Sequence, residues 1–438
     1  MNLNYLKELY SNSPMWLKKV YSAVPYDIRN GKEYRKWKNF LEKEIDEEAY
    51  QFIKLKETIE YAYKNTIYYK RVFDEIDFNI QDFKSLDDIK YLPLMDKQTV
   101  RDNYNEIIAK NYPKNRTFYV TTGGSSGEPM KFLQSKNIWA KELAFVNQYF
   151  YSYGYKSTHL KASFRGDSYN DKVWKINPIH NEIQFSPFHI SSKTINLYIE
   201  QLNYLKPLFI HTYPSAIMLL IKNMKNSNLS LNYKLKAIFL TSENFTMEEF
   251  NLIKEYFDCE VSSFFGHTER LIFAPLKKES QTAYQIKKRY GFVELVADKE
   301  NRLEITGSSF DNFAMPLIRY KTQDYTTYKE KNQLLNMIEG NREREFLYGR
   351  DEIKVPLTTL INSAVLTNTI GTQFYQLKTG KVKLFIIPKN SYTSKDTSDI
   401  LAFLDNRVGH AIDFTIELIS TPILTKRGKL QKLIKKLD

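Results

Sequence analysis

The chain holds one cysteine, Cys259, among 438 residues. No intramolecular disulfide and no cysteine metal cluster can form, which fits a reducing compartment. Cys259 itself reads as a small core residue. No run of about 18 apolar residues occurs, so no transmembrane helix is expected. The first residues contain no continuous apolar stretch, and no secretory signal is expected either. No histidine pair has a zinc-ligand spacing, and no zinc-finger or RNA-binding signature occurs, so nucleic acid is not an expected partner. There is no low-complexity linker and no internal repeat. Glycine is scarce, with 15 in the whole chain.

Scarcity makes the cluster at Thr121-Thr122-Gly123-Gly124-Ser125-Ser126-Gly127 conspicuous. It packs three glycines and four hydroxyls into seven residues and is followed by Glu128-Pro129. β-prone runs flank it, Thr117 to Val120 before and Lys131 to Gln134 after, so the local reading is strand, loop, strand. Glycines let backbone amides approach a ligand closely, and runs of amides make anion-binding concavities. Two readings stay open here, a phosphate-gripping loop and a plain hairpin. No Gly-Lys-Ser/Thr follows, so it is not a Walker A loop, and it does not open a helix as a dinucleotide fingerprint would.

The apolar and charged fractions, 42% and 26%, are those of a globular protein with a sizeable core and more than one domain. Lys plus Arg exceed Asp plus Glu by 64 − 51 = 13, spread along the chain. That is a solvated basic surface or one suited to phosphorylated substrates or an anionic membrane face. Residues 1–45 mix aromatics and lysines and read as a basic amphipathic helix, packed on the body or lying on a membrane. Phe52, Leu55, Ile59 and Ala62 predict a helix over 46–70, and Asp96 caps another with Val100, Tyr104 and Ile107 on its apolar face. A helix over 136–152 follows. Strands at 207–211, 236–241 and 260–265 then alternate with helices from Pro214 and from the capping box Thr246-Met247-Glu248-Glu249. This β-α-β rhythm argues for an α/β layered domain with partly parallel sheet. Two strands flanking Asp298-Lys299-Glu300-Asn301 predict a hairpin. After 348 the pattern restarts as a small α+β unit, with a strand at 381–387, a helix at 398–407 and a strand at 414–420. The expected domains are therefore 1–348 and 349–438.

Several stretches occur in a fixed order that resembles the adenylate-forming enzymes. The closest branch is the phenylacetate–CoA ligase family and, within it, the CapK-like proteins associated with capsular polysaccharide biosynthesis. Tyr61 to Tyr69, Leu92-Pro93-Leu94-Met95-Asp96-Lys97 and Arg101 resemble that branch's N-terminal signature. Thr122 through Pro129 resemble its nucleotide loop, with Glu128 where lysine is common and Gly123 where a hydroxyl residue is common. Phe265-Gly266-His267-Thr268-Glu269-Arg270 resembles its Tyr-Gly-x-Thr-Glu motif. Arg319-Tyr320-Lys321-Thr322-Gln323-Asp324 resembles its Arg-Tyr-x-Thr-Gly-Asp, with Gln323 in the glycine position. Gly349-Arg350-Asp351 resembles the hinge, whose pivot is Asp351 or Glu352. Gly428-Lys429 resembles the catalytic-lysine segment.

The resemblance implies an α/β fold with a large layered adenylation domain and a small mobile α+β lid. It implies an ATP-dependent ligase that activates a small carboxylate as an acyl-adenylate and passes the acyl group to an amine, hydroxyl or thiol acceptor. Thr122, Gly124, Ser125, Ser126 and Gly127 would hold the β- and γ-phosphates. Ser242, Glu243, Phe265 and Gly266 would line the adenine pocket, Asp324 would accept both ribose hydroxyls, and Arg350 would reach the ribose or phosphate. Thr268 would meet the α-phosphate, Glu269 would bind Mg²⁺, His267 would orient the substrate carboxylate, and Lys429 would enter as a mobile catalytic ammonium. His189 and His211 fall in segments that would line the acyl pocket. CoA, an amine or an amino sugar are the implied acceptors, in a cytoplasmic protein or one peripheral to the inner membrane face. An aryl- or acyl-CoA ligase is the second reading, and a non-catalytic nucleotide-binding scaffold of a polysaccharide assembly complex the third. The sequence does not give the oligomeric state.

Overall fold

A computed structural model of the chain describes residues 14, 16, 23–122, 130–165, 173–243, 245–326, 334–336, 338–340, 346–360, 365–421, 423 and 433–435. The glycine–hydroxyl loop, the Lys429 segment and most of residues 1–22 lie outside these described residues. The chain folds into two compact units, Met1–Lys43 with Ala140–Val261, and Glu44–Trp139 with Ser262–Asp438.

The first unit is layered α/β. Strands Glu182–Phe185, Lys161–Phe164, Phe209–Thr212 and Ala237–Leu240 lie side by side in parallel, with Trp174–Asn177 antiparallel at the edge. Lys161–Phe164, Phe209–Thr212 and Ala237–Leu240 are buried at every position. That is the pattern of parallel strands covered on both faces. Helix Pro214–Asn226 begins on its proline, where the missing amide costs no hydrogen bond. Helix Met247–Phe257 begins on the Thr246–Glu249 capping box expected from the sequence. Phe150 stacks on Phe239 at 4.1 Å, covering one sheet face. Tyr26 and Tyr34, from the short helices Tyr26–Arg29 and Gly31–Leu41, pack with Ala144. In the described part of residues 1–45, the helical segment therefore packs on the body.

The second unit combines helices with small sheets. Asp46 caps helix Glu47–Asn65, accepting from the amides of Glu48 and Ala49. The helix stops because Thr66 turns extended and caps a further helix, Ile67–Glu75. Leu55, Ile59, Phe73, Phe83 and Tyr320 share its core. Asp96 caps as expected, but the helix breaks at Asn103, giving Lys97–Asp102 and Tyr104–Ile107. The Asn103 side chain donates to the Thr99 carbonyl at 2.9 Å, a local bond that competes with helix continuation. Thr117–Thr122 and Met130–Ser135 form an antiparallel pair on either side of the glycine loop. Gly291–Ala297, Leu303–Ser309, Tyr320–Thr326 and Glu339–Gly340 form an antiparallel sheet, and its first turn is the hairpin at 298–301. Further on, Asp413–Leu418, Lys381–Pro388, Thr369–Lys378 and Leu433–Lys435 form a mixed sheet with helix Ser394–Val408. That helix begins four residues before the expected 398, because Thr393 and Asp396 form a capping box.

Candidate active site

Strand Glu260–Gly266 ends at Phe265 and Gly266, and the chain turns through His267 to Arg270. Arg270 holds a left-handed φ of 61° in that turn. Phe265 meets the His267 ring edge to face at 4.7 Å. The amide of Gln134 donates to the Thr268 carbonyl at 2.5 Å. Gln134 lies on strand Met130–Ser135, which follows the glycine loop. The strand leaving the loop is thus tied directly to the turn carrying Thr268 and Glu269.

Strand Tyr320–Thr326 supplies the second half of the cluster. The Tyr320 hydroxyl donates to Glu269 Oε1 at 3.5 Å, and His267 Nε2 lies 3.6 Å from Asp324 Oδ2. Glu269, His267 and Asp324 are all buried. Glu269 Oε2 has no hydrogen-bond partner among the described residues. Two motifs more than 50 residues apart in sequence thereby meet at two buried contacts, Glu269 with Tyr320 and His267 with Asp324.

Side chains the motif reading left without a role hold this strand in place. Arg319 forks onto Glu294 at 3.0 and 3.1 Å and donates to the carbonyls of Lys90 and Leu92. Burial raises the Glu294 carboxyl although Arg319 opposes it. The Met95 amide donates to the Arg319 carbonyl at 3.0 Å, and the Lys321 amide to the Met95 carbonyl at 2.8 Å. The Leu92–Lys97 signature is therefore a brace along the Asp324 strand. Its periodicity is too short to show this in the sequence.

The other expected site residues stand as follows. Thr122 ends its strand opposite Met130. Its side chain, with Gly124, Ser125, Ser126, Gly127 and Lys429, lies outside the described residues. Ser242 and Glu243 belong to the first unit. Ser242 is left-handed, with φ 64°. Glu243 accepts from the Ser215 amide and hydroxyl, each at 3.0 Å, and so caps helix Pro214–Asn226. Arg350 donates to the His410 carbonyl at 2.6 Å and pairs with Asp413. Its side chain crosses Gly380, where a Cβ would come within 2.8 Å of Arg350 Cγ. Asp351 and Glu352, the two expected pivot residues, are both left-handed, φ 55° and 61°. His189 Nδ1 lies 2.8 Å from the Ser186 hydroxyl. His211 is buried edge-on to Phe150, and burial holds its imidazole well below the usual range. Cys259 is half-buried rather than the core residue expected, and burial pushes its thiol up to about 12, away from the thiolate form.

Among the described residues no three His, Cys, Asp or Glu side chains converge to cage a metal ion. The chemistry present instead fits Mg²⁺ carried by nucleotide phosphates and met by one carboxylate, a mode in which the protein offers few ligands. Glu269, buried with one uncommitted oxygen, has that character.

No family model matches the chain. Protein CapK of Staphylococcus aureus is 24% identical over 449 residues, spanning 98% of this chain and 98% of that protein. Phenylacetate-coenzyme A ligase of Escherichia coli (strain K12) is 41% identical over 61 residues, 14% of each chain. Among solved structures, 2-hydroxyisobutyryl-CoA ligase in the postadenylation state with R3-HIB-AMP superposes with a TM-score of 0.54 at 16% identity, covering 89% of each chain. The same ligase with 2-HIB-AMP and CoA in the thioesterification state gives 0.56 at 15% identity, covering 89% of this chain and 90% of that one. No described helix is long and apolar enough to cross a membrane. The chain is thus similar to CapK along nearly its whole length and shares the fold of 2-hydroxyisobutyryl-CoA ligase.

Proposed function

We propose that the protein activates a carboxylate with ATP, releasing pyrophosphate and forming an acyl-adenylate, and then transfers the acyl group to an acceptor. The observation that carries this reading is that two motifs meet in a buried place, Glu269 with Tyr320 at 3.5 Å and His267 with Asp324 at 3.6 Å. Asp324 presents two acceptor oxygens, the chemistry suited to a ribose diol. Phe265 presents a flat apolar face for the base. Mg²⁺, when bound, neutralises phosphate charge, and Glu269 is the side chain that would hold it. The glycine–hydroxyl loop is the proposed pyrophosphate grip; the strand that follows it in sequence is bonded to the Thr268 turn through Gln134.

The reaction needs positioning and charge stabilisation more than proton transfer. Lys429 is the proposed mobile cation, on a small domain taken as 349–438 that pivots at Asp351 and Glu352. Arg350, paired with Asp413 here, would exchange that partner for ribose or phosphate on closure. The acceptor class favoured is an amine or hydroxyl of a surface-polysaccharide precursor, on the similarity to CapK across 98% of the chain. CoA is the second acceptor, on the likeness to the CoA ligase fold.

ATP–pyrophosphate exchange with a panel of carboxylates tests this. Lys429→Ala is expected to lower exchange about 10²–10³-fold. ATP binding without exchange for any acid would instead favour a scaffold role, and exchange without thioester formation would remove CoA as acceptor.

A further inference from the structure

Gln323 occupies the position where the resembled motif carries glycine. Its φ is 63°, the left-handed conformation glycine adopts freely and other residues resist. Such a conformation persists in a non-glycine residue only where the surroundings over-determine it. Those surroundings are visible. The Gln323 amide donates to Glu304 Oε1 at 3.0 Å, and its side-chain Oε1 accepts from Lys97 Nζ at 3.1 Å. Glu304 is buried and also pairs with Lys321 at 3.1 Å. Lys97 is buried too, at the start of the helix capped by Asp96. Its backbone is registered against the same strand by the Met95 bridge to Arg319 and Lys321. The next residue is anchored as well: the Asp324 amide donates to the Thr322 hydroxyl at 3.1 Å, which donates to the Ile305 carbonyl at 2.6 Å.

We propose that Gln323, tethered by Lys97 and Glu304, is a positioning residue that aims Asp324 at the ribose of the nucleotide. This rests on the ATP-site reading above. A glycine at this position would permit the turn but leave it loose. Gln323 accepts the strained backbone and adds a side-chain amide that Lys97 holds from the opposite segment. A carboxylate that meets two hydroxyls at once needs this angular control, because both bonds weaken when the plane of the group rotates. Lys97 and Glu304 act through Gln323, and Gln323 acts through Asp324.

The test compares ATP with 2′,3′-dideoxy-ATP by titration calorimetry on the full chain. Two hydrogen bonds to an ionised acceptor predict about a 10²–10⁴-fold preference for ATP in the wild type. Gln323→Met and Lys97→Met are expected to lower that preference about tenfold or more, the loss of at least one such bond, with dideoxy-ATP affinity unchanged. Amide hydrogen exchange of the nucleotide-free chain is the second measurement. Exchange at residues 323 and 324 should quicken about tenfold in Gln323→Met and Lys97→Met as the local opening becomes easier. Undiminished preference for ATP, equal weakening of both nucleotides, or unchanged exchange at 323 and 324 would each overturn the proposal. A wild type that binds ATP and dideoxy-ATP equally removes the ribose role and this inference while leaving an ATP site. A wild type that binds neither removes the ATP site itself, and this inference with it.

Discussion

Glu182 and Glu269 are both buried acids, 2% and 4% exposed, in surroundings of different kinds. Glu182, in the first unit, has Lys161 Nζ at 3.6 Å and Arg165 Nη2 at 3.7 Å from one oxygen. Its other oxygen accepts from Gln184 at 2.9 Å. Burial raises its carboxyl, but Lys161 and then Arg165 outweigh burial and hold it below the ordinary range. Lys161 is pushed down, chiefly by burial, because it faces one anion and a second cation. Glu269, in the second unit, has one long hydrogen bond from Tyr320 and no cation paired with it among the described residues; each acid has one oxygen without a hydrogen-bond partner, so the counter-charge is the difference. An acid whose counter-charges are built into the fold serves the fold. An acid buried without a counter-charge has something left to offer a ligand.

Three experiments sharpen or break that contrast. Glu269→Gln is expected to lower pyrophosphate exchange about 10²–10³-fold, or roughly 3–4 kcal/mol, the size of one lost electrostatic donor or ligand. Its denaturation midpoint should stay that of the wild type. A large fall in stability with little change in exchange would make Glu269 another Glu182. Glu182→Ala should behave oppositely. Stripped of its anion, the buried Lys161 is left uncompensated, at a cost of about 3 kcal/mol in chemical denaturation. The figure is at the low end for such pairs because Arg165 is partly exposed. The dissociation constant for ATP should not move.

The smallest expected effect is a pH dependence beside Glu182. Burial, then Lys161, pushes the His180 imidazole down to about 4, and the Tyr26 hydroxyl lies 3.3 Å from its Nδ1. Arg165 and Arg29 add to the lowering, and Glu182 opposes it. The unfolded chain therefore binds the proton first, and stability falls with pH from about 6.5 down to about 4. Between pH 7 and pH 5 that amounts to about 2 kcal/mol. His180→Asn should lose this slope in urea titrations at the two pH values. An unchanged slope would show that the network around Glu182 does not keep His180 neutral.

Local chemistry was legible in the chain as written. Asp46 and Asp96 cap where a short acceptor precedes an apolar period, and Thr246 with Glu249 closes its box. The hairpin at 298–301 follows from turn residues between two β-prone runs. Less legible were the Asn103 break, the early start at Ser394 and the strand Thr369–Lys378. Each depends on a side-chain bond or a neighbouring strand that periodicity does not weigh. Glu243 is instructive in the same way. Its place in the motif order points to a nucleotide, while its carboxylate caps a helix that begins 29 residues earlier, at Pro214.

By itself the sequence determined the order of the motifs, the residue types at each and most helix starts, because these depend on neighbours within a few positions. Tertiary structure alone decided which motifs meet. Lys97 and Gln323 are 226 residues apart, His267 follows one strand while Asp324 lies on another, and Arg319 reaches the carbonyls of Lys90 and Leu92. No local period carries such pairings. They follow from burial of whole strands, which leaves each polar group to find its partner wherever the packed chain supplies one.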